Sequence, residues 1–174
     1  MPDILDSGIY EDPPDETHDW RIFIGPHADY YIHQWQALRD GRWWSFNFPA
    51  FLVGGLWMIY RKMYLTTLLY LLIVLGIDYL EAFILQRISP APWMYPASNI
   101  LSTLLLAVVV GFAGNWLYFE ESQWKIDRLK RRYPERPLLE RKLARAGGTS
   151  YLSLGILFLI LFFLALLANF NLTI

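Results

Sequence analysis

Apolar residues along this chain gather into long blocks separated by polar stretches, instead of recurring as the stripe of a water-soluble helix bundle. Three blocks reach the roughly 20 residues that a helix needs to cross a hydrocarbon core of about 30 Å. They are 63–88, 97–119 and 149–171. The first is carried by Leu, Ile, Val and Phe, each adding about −0.4 kcal/mol of insertion preference. The second has LLLAVVV at its middle, with small residues at Gly111 and Gly114 suited to close helix contact. The third is nearly all Leu and Phe behind Thr149 or Ser150 as a cap. The pattern predicts an all-α integral membrane protein with three transmembrane helices.

A fourth apolar block is too short to be a span. In 47–62, Asn47 offers a helix cap, Pro49 stands in the first turn, Gly54-Gly55 interrupt, and Arg61-Lys62 close. Fourteen residues at about 1.5 Å each reach only about 21 Å. The segment therefore reads as a short re-entrant or interfacial helix. The competing topology makes it a fourth span with residues 1–44 on the far side. It is disfavoured by the length, by the want of a turn before Met63, and by the export it demands of Arg39 and Arg42.

Upstream, 21–46 contains a small amphipathic helix, 27–39, opened by Gly25-Pro26 and stopped by Gly41. Ala28, Tyr31, Ile32, Trp35 and Leu38 fall on one stripe. Its aromatic face, with Trp43-Trp44, is expected to lie against the membrane surface or under the short helix. Residues 1–20 are rich in Asp, Glu, Pro and Ser and read as a disordered acidic tail. Between the second and third spans, 120–148 is a basic loop. The preceding helix continues into it through EESQWKIDRLKRRY, Pro134 and Pro137 break it, and a short helix occupies 138–146.

Charge adds an orientation. The formal net charge is −1, but the charges are segregated: seven acids and no Lys or Arg precede Arg21, and nine Lys or Arg lie in 120–148. The bias puts the basic loop in the cytoplasm. Three spans then leave the N-terminus cytoplasmic and the C-terminus outside. No cleavable signal is visible in the acidic leading residues, so insertion is expected to use the internal segments. The absence of cysteine excludes disulfides, thiolate metal sites and Cys nucleophiles.

Four pieces of the sequence carry a family resemblance. They are Gly25, Ala28, Tyr30-Tyr31 and Trp35; then Asn47-Phe48-Pro49-Ala50-Phe51 with Gly54, Trp57 and Tyr60-Arg61-Lys62-Met63-Tyr64; then Gly111, Gly114-Asn115 and Tyr118; then Gly147-Gly148-Thr149-Ser150. In this order they resemble a bacterial family of small membrane proteins, domain of unknown function 2628. The resemblance implies a bacterial cytoplasmic membrane and brings no activity, cofactor or catalytic residue with it.

The residues themselves offer three groups. Tyr31, Trp35, Phe51 and Trp57 are expected to dock a partner. Asp78 and Glu81 share a helical face, with Arg87 as expected partner. They could bind a cation or relay protons, but about 25 Å of helix above Arg61 puts them near the far interface, where carboxylates simply meet water or headgroups. Asn115 is expected to bond across helices, to Asn47 or to a carbonyl freed at Gly54-Gly55. Lys125, Arg128, Lys130, Arg131 and Arg132 suit anionic lipid headgroups, at about 1 kcal/mol each, or else the acidic tail or an acidic partner. His18, His27 and His33 lack the spacing of a helical zinc site, and no nucleophile elbow or phosphate-cradling glycine loop is present. No metal, cofactor, catalytic residue or nucleic acid is expected. The expected function is a non-enzymatic interaction or accessory protein docking a membrane or cytoplasmic protein at the cytoplasmic face. The alternative is a homo-oligomeric transporter or channel component with a broken-helix cavity.

Overall fold

A computed structural model describes residues 16–42, 45–88 and 91–171. The readings of 1–15 as a tail and of Trp43-Trp44 as interface anchors fall outside these residues. Among the described residues there are seven helices and no strand: α1 Glu16–Ile24, α2 Ala28–Arg39, α3 Phe48–Tyr60, α4 Tyr64–Ile88, α5 Met94–Arg132, α6 Arg136–Ala146 and α7 Tyr151–Asn171. Three helical segments are long and apolar enough to cross a membrane: α4, α5 and the stretch ending in α7. Their outward residues, such as Leu72, Leu75, Leu105 and Phe162, are exposed and apolar, as lipid requires.

The longest helix organises the rest. At about 1.5 Å per residue, the 39 residues of α5 reach about 58 Å, roughly twice the hydrocarbon thickness. Pro96 does not delay its start, because the first turn of a helix needs no N–H from that residue. Beyond Phe119 the helix leaves the apolar layer and becomes the spine of a head. Pro137 likewise opens α6 at its first turn, where the sequence reading had it as a breaker.

The head packs α1, α2 and α6 around that spine. Trp20, Phe23 and Ile24 of α1, Trp35 of α2, Ile126 of α5, and Leu139 and Leu143 of α6 form one buried cluster. Trp20 meets Trp35 edge-on at 5.5 Å and Phe119 at 6.1 Å. Two corrections follow. Residues 16–20, read as part of the tail, are helical and bury Trp20 and Asp19, because α6 supplies the apolar partner that the local sequence lacks. The stripe Ala28, Tyr31, Ile32, Trp35 and Leu38 is buried as a stripe, but by protein and not by membrane.

The α3 segment explains how the head joins the spans. It runs beside α5 with Asn47 N–H bonded to the Gly111 carbonyl at 2.8 Å at one end, and Lys125 Nζ bonded to the Lys62 carbonyl at 2.7 Å at the other. Gly111 lies eight residues before Phe119, about 12 Å into the apolar layer. Phe46, Phe48, Leu52 and Val53 are exposed there. The chain thus reaches the apolar part of α5 at Asn47 and returns along α3 toward the head, a short apolar helix of 13 residues. The packing of α1 on α6 sets the residues before α3 beside 136–146, which speaks against a fourth crossing, and a turn does separate α3 from α4: Arg61–Met63, with Lys62 left-handed at φ 58°.

Candidate functional site

Contact between α3 and α5 depends on missing side chains. A Cβ on Gly114 would stand 2.8 Å from Ala50 Cβ, and one on Gly111 only 2.6 Å from Phe46 Cε2. This closeness lets Asn47 do two things. Its side-chain oxygen caps α3 by accepting from Ala50 N–H at 2.9 Å, and its amide donates to Asn115 Oδ1 at 2.8 Å. Asn115 in turn donates to Ser45 Oγ at 2.6 Å, and Ser45 donates to Gln34 of α2. The expected partner of Asn115 is therefore Asn47.

The break in α3 is real: Gly54 has φ 36° and ψ −107°. It does not open a cavity, because the Tyr70 ring of α4 fills the space, 3.1 Å from where a Cβ on Gly55 would stand.

At its upper end α3 delivers Arg61 into a cage of rings. The guanidinium carbon lies 4.4 Å from the centre of Tyr31, 5.5 Å from Tyr118 and 5.9 Å from Tyr60. Arg61 is only 5% exposed, and its Nε and Nη1 are buried with no hydrogen-bond acceptor. The cage opens on a groove of about 860 Å³ between α3 and α7, walled by Val53, Leu56 and Trp57 on one side and Leu154 and Phe158 on the other. At its rim the Tyr60 and Tyr151 hydroxyls bond at 3.2 Å, and nearby Tyr64 and Ser153 pair at 2.8 Å. Sequence reasoning missed Arg61 as a site residue, since as a helix-closing cation it reads as solvated.

The four residues expected to dock a partner are not a surface. Tyr31, Trp35 and Trp57 are buried. Phe51 is half-buried, stacked between Phe46 at 5.5 Å and Phe48 at 6.2 Å. An aromatic stripe serves a protein core as well as a membrane surface, and here the extension of α5 supplies the core.

The basic residues divide. Lys130 is held at 2.7 Å by Asp19, which is almost wholly buried and also pairs with Arg136 at 2.7 Å. Lys125 pairs with Glu121 at 2.7 Å, and Glu121 accepts from Thr66. These two cations are internal ties. Burial works against the Arg136 charge, but its bonds to Asp19 and Glu140 more than offset this and raise its pKa. Lys62, which donates to the Arg145 and Gly147 carbonyls, is pulled below its ordinary pKa, first by burial and then by the Lys125 charge. Arg128, Arg131 and Arg132 are the exposed ones. Arg128 lies over Trp124 and Arg132 over Tyr133, lining a second groove of about 350 Å³ on the head beside the start of α4.

Asp78 is exposed on α4, while Glu81 accepts from Ser98 and Ser102 of α5 and so ties the two spans together near their far ends. Arg87 does not pair with either carboxylate: it rests over Phe83 at 4.9 Å. Among the described residues no three His, Cys, Asp or Glu converge as metal ligands.

Three helices long and apolar enough to span, a shorter apolar helix and a packed head carrying a basic groove define a small all-α integral membrane protein. The family model described as protein of unknown function (DUF2628) matches residues 15–123, more than half of the chain, and the chain belongs to that family. No curated protein and no solved structure matches it.

Proposed function

We propose that the protein is a non-enzymatic interaction or accessory protein of the bacterial cytoplasmic membrane, docking a protein partner on its cytoplasmic head. The observation that carries this reading is the groove of Trp124, Arg128, Arg132 and Tyr133, where exposed cations alternate with rings at the membrane boundary. Arg and aromatic side chains together are the usual anchors of protein interfaces. Their charge selects an acidic segment of the partner. The cytoplasmic placement rests on the excess of Lys and Arg in 120–148.

The transporter reading has less support: Tyr70 fills the α3 break, and Asn47 and Asn115 bond each other. A photo-crosslinking residue at Trp124 or Leu138, both exposed, tests the docking reading in intact membranes. The expected product is a discrete protein adduct that disappears when Arg128 and Arg132 are changed to Glu. Adducts to lipid alone would refute it.

A further inference from the structure

We infer that the groove between α3 and α7 is a binding site for an anionic glycerophospholipid, with one acyl chain along the groove and the phosphate at Arg61. The argument starts from a charge without a counter-charge. Arg61 is 5% exposed, two of its three guanidinium nitrogens are buried without an acceptor, and no salt bridge among the described residues includes it. The three tyrosine rings around it offer cation–π attraction, worth about 0.5–2 kcal/mol for such a contact. The Tyr118 hydroxyl faces the guanidinium as a neutral acceptor but balances no charge, and a buried cation without a counter-charge is strongly unfavourable. An anion completes the site.

The space beside Arg61 says what kind of anion. From the cage the groove descends between Val53 and Leu56 of α3 and Leu154 and Phe158 of α7, toward Phe48. Its charge stands at one end, at Arg61, while Asn47 at the other end is already bonded to Ala50 and Asn115 and the walls between are mostly apolar. Its volume of about 860 Å³ falls in the range of about 300–1,000 Å³ typical of small-molecule sites. A water molecule could satisfy an N–H but would leave the charge and the apolar walls unexplained. A free phosphate would match the charge and leave the walls bare. Only an amphiphile answers both.

The direction is also that of a lipid in its leaflet. Arg61 and the Tyr60–Tyr151 hydroxyl pair stand level with Tyr64 and Ser153, where α4 and α7 enter the apolar layer. Phe158 lies seven residues further along α7, about 10 Å toward the bilayer centre. A phospholipid can therefore leave its second chain in the bilayer while one chain occupies the groove and its phosphate meets the guanidinium, a planar donor suited to phosphate oxygens.

The test uses the full chain reconstituted in vesicles of equal phosphatidylglycerol and phosphatidylcholine with matched acyl chains, then extracted in mild detergent. Native mass spectrometry counts the lipid retained per protein. One phosphatidylglycerol is expected, retained at least tenfold over phosphatidylcholine, and undiminished by millimolar inorganic phosphate. Arg61→Gln should remove the headgroup preference. Val53→Trp, at an exposed groove position, should reduce retention of both lipids about tenfold while thermal unfolding in the same detergent stays unchanged, so the groove is tested even where the Arg61 variant fails to fold. Equal retention of the two lipids by the unsubstituted protein, retention unaltered in Val53→Trp, or displacement by inorganic phosphate would overturn the inference. The crosslinking at Trp124 and Leu138 reads a different face, and its outcome is independent of this one.

Discussion

Asn47 and Asn115 stand 68 residues apart in sequence and share a hydrogen bond of 2.8 Å, both side chains buried, where α3 meets α5. Asn47→Ala loses the α3 cap, worth about 1 kcal/mol, and strands the Asn115 carbonyl, at about 1–3 kcal/mol. Asn115→Ala should cost a similar amount. Because the two share one bond, the double variant should fall short of the sum by about 0.5–3 kcal/mol. A double-mutant cycle on urea unfolding in detergent measures it, and strict additivity would show the bond to be absent.

Gly147 and Gly76 give a paired prediction. A Cβ on Gly147 would stand 1.9 Å from the Phe23 carbonyl oxygen, whereas one on Gly76 meets nothing within 4 Å. Gly147→Ala should displace α1 from the end of α6 and lower the melting temperature of the head by several degrees, as expected of about 1–3 kcal/mol of overpacking in a small domain. Gly76→Ala should be neutral or stabilising by up to about 1 kcal/mol through helix propensity. Thermal melts of both variants in one detergent decide it.

Asp19 ties Lys130 and Arg136 to α1. Since those two cations keep 38% and 31% of their side-chain exposure, Asp19→Ala should cost about 1–3 kcal/mol, below the loss expected from a fully dry pair. The predicted signature is local: faster amide exchange in α1 and α6, with α4 unaffected.

Lys62 predicts a pH dependence. Burial and the Lys125 charge hold its pKa below the ordinary 10.5, so the unfolded chain binds this proton more tightly than the folded one. Stability should therefore rise with pH between the depressed folded value and 10.5. Lys62→Met should abolish that increment, and at neutral pH should cost about 1–2 kcal/mol for the lost bonds to the Arg145 and Gly147 carbonyls. Unfolding curves of the variant and parent across the alkaline range separate this group from others titrating there.

The chain contains no cysteine, which makes single-cysteine labelling clean. Cysteine at Asp29 and at Arg131 should react with an impermeant maleimide from one face of the membrane, and cysteine at Trp93 from the other. Labelling of Asp29 and Arg131 from opposite faces would contradict the packing of α2 on α5.

Much of this architecture was legible in the residues. The three apolar blocks became helices because lipid leaves a backbone no other partner, and the cap at Asn47, its bond to Asn115 and the close approach at Gly111 and Gly114 follow from small and amide side chains placed opposite one another. What was not legible was the head. Trp20, Phe23 and Ile24 look like a weak stripe at the end of an acidic stretch until Leu139 and Leu143, more than a hundred residues later, supply the opposing face. The burial of Tyr31 and Trp35 depends on the same distant event. Arg61 escaped notice for the opposite reason: a cation at a helix end is ordinarily wet, and only the assembly of three tyrosines from α2, α3 and α5 dries it.

The continuity of α5 from Met94 to Arg132 has a mechanical consequence. A helix without a proline or bulge along its middle does not absorb displacement at a joint. A load on the head would therefore be carried along one rod to Met94, 25 residues and about 38 Å from Phe119, at the level of the far headgroups.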